Sequence, residues 1–492
     1  MTEQSNTQKV IKGVSSQTLV TVFIGVLELS VFSIMSRLLS KEDFGLFAAV
    51  SAVTVIFSSL SEAGIGSAII QKKDASKSYI NTAFTISFIL GCCFAISLVL
   101  LSGVLSRTLI DETLRMPLMF MSITILCNSI TSVNTSIMYK RLEFLQVGIV
   151  NFVSLLLSSL IAIILALKGM GFEAIMSKSI LHSIIATVLS YYLAKTNFTF
   201  HIDKNNVKSI ISFGGWLTLS VVLRNFATQA DKLLMSRFLS VSSLGAYNRP
   251  KEFINTISAK LNGIFDITLF PILSGIQDEK QSIQNAYHLS LYYMNIFSML
   301  MALSFIFNGN LIIRIFFGSQ WLSLLPIFIV LSLSLIFNID GRLCDCYFRS
   351  LGLVKYQFFI RLFEVVLTFI CLLIGFHWDI LGVSIAVLVS NVIIIVLKLI
   401  VVTIKIESSL KIVAKQIMSG WRFSLLMVPV MFLSHYLLPK TIVGDIIQLA
   451  IFGVVTLLIF IIIPRIVGKT YTDGLYKTII NKLAFLNKNK IN

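Results

Sequence analysis

The sequence predicts an all-α polytopic membrane protein of about fourteen transmembrane helices, two parallel six-helix lobes followed by two C-terminal helices. Three observations lead there. The 492 residues are 56% hydrophobic and 13% charged, with a mean hydropathy of +0.90. That is about half the charge of a soluble domain and leaves too little polar surface to face water. Apolar windows of roughly twenty residues, the length that crosses ~30 Å of hydrocarbon, follow one another with only short interruptions. A spelling also recurs: Ile34-Met35-Ser36-Arg37-Leu38-Leu39-Ser40 with Gly45 returns as Leu234-Met235-Ser236-Arg237-Phe238-Leu239-Ser240 with Gly245. Each copy closes a long apolar segment, the mark of a duplicated bundle.

The predicted spans lie near 14–36, 44–70, 80–104, 116–138, 146–167, 174–194, 211–235, 250–274, 287–308, 321–339, 357–376, 380–402, 422–438 and 444–464. Residues 1–13 are polar, with Lys9 and Lys12, and the run from Val14 to Met35 is too long for a cleaved signal, so it is expected to stay as an anchor. The first two spans and the pair at 211–274 are the most polar. Of the 40 Lys and Arg residues, the segments predicted outside hold Arg37, Lys41, Arg107, Arg115, Lys168, Arg237, Arg314 and Lys440. The inside segments hold far more, among them Lys72, Lys140, Arg141, Lys195, Arg349 and Lys398. This asymmetry predicts an even span count with both termini cytoplasmic. It also accounts for much of the +17 net charge without nucleic acid.

The polar stretch Lys195–Lys208 is the longest inside connection of the first half. It sets the expected organisation: an N-terminal lobe 1–194, a cytoplasmic linker 195–210 and a C-terminal lobe 211–403. An interfacial amphipathic segment 404–421, two extra helices within 422–466 and a basic tail 467–492 follow. Six spans per lobe is even, so the two lobes enter the membrane in the same orientation. In 404–420, Ile406, Leu410, Val413 and Ile417 share one helical face while Lys411 and Lys415 lie elsewhere, a pattern suited to anionic headgroups. Leu475, Ile479, Leu483 and Leu486 repeat it in the tail.

Enzymatic signatures do not appear. The six cysteines form no CxxC pair and the five histidines no HExxH, so no metal or cofactor is expected. Gly468-Lys469-Thr470 imitates the end of a phosphate-binding loop, but Ile463 stands where its first glycine is required. Energy for any transport must then come from an ion gradient, the membrane potential or the substrate's own gradient.

The informative chemistry is charge inside the spans. Arg224, Thr228 and Asp231 fall at i, i+4 and i+7, with Asn225, Gln229 and Lys232 as an adjoining stripe. In the next span Asn255, Asn262 and Asp266 align, with Lys260 close by and Arg249 near the entrance. The first span carries Gln17, Thr21 and Glu28, and the second Ser51, Thr54, Ser58 and Glu62. A charge at mid-bilayer costs roughly 2.5–3.5 kcal/mol, so these groups must line water or pair with one another. A hydrated cavity satisfies them together; ion pairs that merely hold helices together are the competing reading. Arg361 and Glu364, at i and i+3, read as an intrahelical pair, and Lys178 as a residue that can snorkel. A cationic cavity suits an anionic, bulky, partly lipidic cargo, with arginine for bidentate phosphate contacts. Carboxylates there carry protons or sodium, or keep the arginines oriented.

Several segments resemble a known family. Met35-Ser36-Arg37-Leu38-Leu39-Ser40-Lys41-Glu42-Asp43-Phe44-Gly45-Leu46-Phe47 is similar to the first-loop signature of bacterial polysaccharide repeat-unit flippases, within the multidrug/oligosaccharidyl-lipid/polysaccharide exporter superfamily. Tyr139-Lys140-Arg141-Leu142-Glu143-Phe144 resembles that family's inner loop, and Asp231 through Gly245 with Tyr247 its seventh-span signature. Phe270-Pro271 with Leu273-Ser274 resembles the eighth-span end, and Gly318-Ser319-Gln320-Trp321 the entry to the tenth. The resemblance runs over roughly residues 8–400. It implies two six-helix lobes in a V and the movement of a polyprenyl-pyrophosphate-linked oligosaccharide from the inner to the outer leaflet by alternating access. Arg224, Asp231, Lys232, Arg249, Lys260 and Asp266 are candidate cavity contacts, with Glu28 and Glu62 as coupling or cavity carboxylates. The partners implied are the lipid-linked oligosaccharide, membrane lipids, H+ or Na+, and polysaccharide polymerase and export machinery. Two rivals stand beside this reading. A cation-coupled drug or small-molecule antiporter of the same fold would favour an acidic cavity, whereas Glu28, Glu62, Asp231 and Asp266 balance Arg224, Lys232, Arg249 and Lys260. A membrane glycosyltransferase or polymerase would need a longer outer loop for its catalytic acids.

Overall fold

The structure, a computed structural model, describes residues 3–425 except 63, 73–74, 110–111 and 197, with isolated helical positions between 428 and 454. Side chains are described for these residues outside 3–19, 211–217, 260–268, 270–272 and 354. The chain is all-α, with no strand among the described residues. The helices are α1 (Glu3–Leu38), α2 (Lys41–Glu62), α3 (Ile65–Gln71), α4 (Lys77–Leu109), α5 (Arg115–Lys140), α6 (Phe144–Leu167), α7 (Phe172–Ala194) and α8 (Lys204–Phe238). They continue with α9 (Val241–Gly275), α10 (Lys280–Phe307), the single turn α11 (Gly309–Ile312), α12 (Leu325–Ser350), α13 (Val354–Gly375), α14 (Asp379–Lys405) and α15 (Leu410–Leu425). Among the described residues nine stretches are long and apolar enough to cross a membrane, one of which, Lys355–Lys405, contains both α13 and α14. The chain is a multi-pass membrane protein.

The first twelve predicted spans each fall on helix, with two informative differences. The second is broken: α2 stops at Glu62, and Gly64, at φ 63°, turns the chain into α3. Glycine reaches that left-handed region without a Cβ penalty. The tenth runs to Ser350, well past the predicted 339, because Asp340, Arg342, Asp345 and Arg349 dilute hydropathy without ending the helix. Lys398, counted from sequence as a cytoplasmic charge, is instead buried in α14, 3.2 Å from Asp345. The tail 467–492 and most of 422–466 lie outside the described residues.

The chain divides into two compact units. Unit 1 comprises Met1–Arg249, Phe316–Gly318 and Arg361–Ala386; unit 2 comprises Pro250–Ile315, Ser319–Ile360 and Val387–Asn492. In unit 1 the helices approach through small side chains. A Cβ on Gly91 of α4 would lie 2.2 Å from Ser129 Oγ of α5, and Ser87 Oγ donates to Ser129 O at 2.9 Å. Between α5 and α7, Thr131 and Thr187 hydroxyls pair at 2.9 Å and Asn134 Nδ2 donates to Ser190 Oγ at 3.2 Å. Lipid is as apolar as a leucine face, so close packing and interhelical hydrogen bonds hold such helices together.

Turns in unit 1 are fixed by the motif residues. Lys140 donates to the carbonyls of Ile69 and Lys72, and Arg141 donates to Ala194 O at 2.7 Å. Both cations thus sit on helix C-terminal carbonyls, where the macrodipole favours positive charge. Residues 198–203 are bound along α4: Asn81 Nδ2 donates to Thr199 Oγ1 (2.6 Å), His201 N to Thr85 Oγ1 (3.1 Å) and Asp203 N to Thr82 Oγ1 (3.2 Å). Phe84 stacks on Phe198 with centroids 4.0 Å apart. Asp203 then caps α8 by accepting from Asn205 N at 2.9 Å. Arg361 and Glu364 form the expected intrahelical pair at 2.6 Å.

Candidate functional site

The two copies of the repeated spelling form helix corners that touch. After Leu39, Ser40 and Asp43 make a reciprocal cap at the start of α2: Ser40 N donates to Asp43 Oδ2 (2.9 Å) and Asp43 N to Ser40 Oγ (3.1 Å). After Leu239, Ser243 N donates to Ser240 Oγ at 3.1 Å and opens α9 in the same way. The glycines that follow meet the opposite copy. A Cβ on Gly45 would stand 2.0 Å from Val241 O, and one on Gly245 would stand 1.8 Å from Lys41 O. Neither position admits any side chain, so both glycines are required by a reciprocal backbone crossing.

Arg249, one turn further along α9, locks this crossing. It is 4% exposed, donates to Ser36 Oγ (2.9 and 2.8 Å) and to Phe32 O (2.7 Å), and lies over the rings of Phe32 and Phe44 at 3.4 and 4.1 Å from their centroids. A planar guanidinium is the one side chain that stacks and forks at once. Asp231, 2% exposed, accepts a hydrogen bond from the Tyr247 hydroxyl, and its Oδ1 accepts from Lys232 N at 2.8 Å.

Among the described residues of unit 1, an open space lies between α2, α5, α7 and α8. It is a cleft of about 380 Å³ lined by polar side chains from all four helices. Helix α2 contributes Ser51, Thr54, Ser58 and Glu62; α5 contributes Thr124 and Asn128; α7 contributes Ser179 and His182; α8 contributes Arg224 and Asn225. Asn128 Nδ2 donates to Ser58 Oγ at 3.2 Å, and that serine is in hydrogen-bonding reach of Glu62. His182 Nδ1 is buried without a hydrogen bond among the described residues. The charges of Lys178 and Glu28 both reach His182, so Glu28 on α1 belongs to the electrostatic surroundings of the cleft. The cleft thus offers one cation, one carboxylate, an imidazole and a wall of hydroxyl and amide groups, the donor set that meets a polyhydroxylated or anionic ligand.

The sequence-derived candidates are therefore sorted into two places. Glu62 and Arg224 line the cleft, while Asp231 and Arg249 are buried at the helix corner with protein partners. Lys232 is half-buried on α8. Lys260 and Asp266 lie on α9, with side chains outside the described residues. Reading spans by charge passed over Thr124, Asn128, Ser179 and His182. Their signal is present as polar residues four apart on one face, Thr124 with Asn128 and Ser179 with Ser183 beside His182.

Residues 34–326 match the family model described as polysaccharide biosynthesis protein, and the chain belongs to that family. It is 24% identical over 323 residues to the lipopolysaccharide biosynthesis protein WzxC of Escherichia coli, a match covering 65% of this chain and 65% of that protein. It is 23% identical over 343 residues to the succinoglycan biosynthesis transport protein ExoT of Rhizobium meliloti, covering 68% of each. The matched stretch thus spans about two thirds of the length of these relatives. Among solved structures, lipid II flippase MurJ in an inward closed conformation superposes with a TM-score of 0.73 at 16% identity, over 92% of this chain and 99% of that one. An inward-facing multidrug resistance MATE family transporter of the MOP superfamily gives 0.59 at 13% identity, over 79% and 98%. The fold is shared with both.

Proposed function

We propose that this member of the polysaccharide biosynthesis family moves a polyprenyl-pyrophosphate-linked oligosaccharide repeat unit from the inner to the outer leaflet of a bacterial plasma membrane, by alternating access and without an enzymatic step. The observation that carries the proposal is the cleft in which Arg224, Glu62 and His182 face serine, threonine and asparagine side chains from four helices. Sugar hydroxyls exchange hydrogen bonds with such a wall, and Arg224 meets an anionic linkage with a fixed fork of donors. Relatives named for lipopolysaccharide biosynthesis and for succinoglycan transport, and a fold shared with a lipid II flippase, support a lipid-linked glycan as the cargo.

In this reading the chain works as two parallel six-helix lobes, 1–194 and 211–403, joined by the 195–210 segment, with both termini cytoplasmic and an ion gradient as the energy source. Asp231 and Arg249 hold the closed corner, and Lys232, Lys260 and Asp266 are further candidate contacts for the cargo. Polymerase and export proteins take the delivered unit. The test is surface polysaccharide in a strain whose own gene is deleted and replaced by variants. Arg224→Ala and Glu62→Gln are expected to lower surface polysaccharide and to leave lipid-linked repeat units on the cytoplasmic leaflet. Unchanged surface polysaccharide in the deletion strain would overturn the assignment, and drug sensitivity appearing instead would favour the antiporter with a small cationic cargo, for which Glu62 is the fitting carboxylate.

A further inference from the structure

Unit 2 carries a polar centre of its own, built by α10, α12, α14 and α15. Asp340 of α12 is 3% exposed, and its Oδ1 accepts from Asn295 Nδ2 at 3.0 Å. That amide is fixed on three sides: Nδ2 also donates to Leu291 O at 2.9 Å, and Oδ1 accepts from Trp421 Nε1 at 2.8 Å. The asparagine can therefore present only its NH2 to the carboxyl. One turn along α12, the buried Cys344 is in electrostatic reach of Asp340, Asp345 and Lys398. Asp345 and Lys398 pair at 3.2 Å, both side chains less than a tenth exposed.

The polar groups continue toward one end of these helices. Tyr287 and Tyr347 meet edge to face with centroids 4.9 Å apart, both hydroxyls buried with no well-formed hydrogen bond among the described residues. The Tyr287 hydroxyl lies beside Cys344 and Thr403. Next to it His288 Nε2 is hydrogen-bonded to Ser408 Oγ at 2.7 Å, close to the exposed pair of Lys280 and Glu407. A run of buried groups able to give and take a proton thus leads from an exposed helix end to a buried carboxyl.

We propose that Asp340 is a proton-binding carboxyl that couples this protein to a proton gradient, with the side of unit 2 marked by His288, Tyr287 and Cys344 as its route to the cytoplasmic face. The proposal rests on the transport reading above and names its coupling ion. A metal cation is disfavoured by the donor set: Asp340 is met by an N–H group, while the Asn295 oxygen that would ligate a cation is taken by Trp421. The step is simple, since the carboxylate accepts one proton to become the acid and no other bond changes. The neutral acid no longer draws the Asn295 amide as an anion does, so the hydrogen-bonded tie between α10, α12 and α15 weakens on protonation. The charged groups nearest this centre, Asp345 and Lys398, neutralise each other.

The test uses the full chain reconstituted in phosphatidylethanolamine–phosphatidylglycerol liposomes, with infrared difference spectra recorded across a pH titration. A buried carboxylic-acid band that disappears as pH rises is expected in the wild type, absent in Asp340→Asn and displaced in Asp340→Glu, the second variant guarding against a misfolded amide. In cells, the Asp340→Asn strain is expected to fall to the surface-polysaccharide level of the deletion strain and Asp340→Glu to recover part of it. A band unchanged by both substitutions overturns the proposal, even where export depends on the chain. A band lost in Asp340→Asn while the deletion strain keeps its polysaccharide leaves Asp340 as a proton site and removes only the assigned cargo.

Discussion

The corner between α1 and α2 and the corner between α8 and α9 share a spelling, a serine cap and a glycine, yet they are held by different chemistry. Where the second corner has Asp231 hydrogen-bonded to Tyr247, the matching positions of the first are Val31 and Phe47. Where the second has the buried Arg249, the first has Ala49, fully buried and apolar. Duplication preserved the backbone path, which caps and glycines dictate, while the space around it was refilled with a polar pair on one side only. Arg249 shows why the asymmetry is useful: from the second copy it reaches Phe32, Ser36 and Phe44 of the first, so each corner completes the other.

This comparison can be broken in several places. The largest effect is expected from Gly245→Val, because its Cβ would be driven onto Lys41 O at 1.8 Å. The cost should reach or exceed the roughly 1–3 kcal/mol of an overpacked core, seen as loss of folded protein in membranes. Near-wild-type yield would show that the crossing is not needed. Gly45→Val should behave alike if the contact is truly reciprocal. Arg249→Lys should come next, since an ammonium keeps the charge but cannot fork to Ser36 and Phe32 while stacking on two rings. A loss of about 1.5–3 kcal/mol in the thermal unfolding of detergent-solubilised protein is expected, against which full rescue by lysine would argue.

The Asp231–Tyr247 pair offers a cycle that converts one corner into the other. Asp231→Val alone removes the acceptor of the Tyr247 hydroxyl and should cost about 1–3 kcal/mol, whereas Asp231→Val with Tyr247→Phe recreates the first corner's chemistry and should recover part of that loss. Additive losses would mean that the hydrogen bond is not what holds the corner. The smallest effect belongs to another matched pair of turns. Leu142, between α5 and α6, has φ 60°, and Gly352, between α12 and α13, has φ 70°. Leu142→Gly removes a Cβ from the left-handed region and should be stabilising by up to about 1 kcal/mol of relieved strain, offset by the greater freedom of glycine when unfolded. A large destabilisation would show that the half-exposed leucine side chain anchors the loop.

At the helix end in unit 2, Lys280 beside Glu407 holds that carboxyl below its ordinary range. The folded-state value is depressed, so any stabilisation from this pair is present above the ordinary carboxyl range and disappears as pH falls through the lowered one. Being fully exposed, it should be screened by salt. A Glu407→Gln variant should show a flatter dependence of melting temperature on acid pH and no difference at high ionic strength.

How much was legible in the sequence follows from which interactions are local. Composition and windows of about twenty residues fixed the helices and their order, because crossing hydrocarbon demands internal hydrogen bonding and a minimum apolar length wherever it occurs. The duplication was legible too, since serine caps and glycines act within a few residues of where they are written. Partners were not. Arg249 and Ser36 are 213 residues apart, and Lys398 passed for a surface charge because its partner Asp345 lies on another helix. The crossing of helices decided that Glu62, Arg224 and His182 share a cleft while Asp231 and Arg249 are locked at a corner. Hydropathy assigns a cost to each charge alone, whereas the free energy of a buried charge depends on the groups the tertiary structure places beside it.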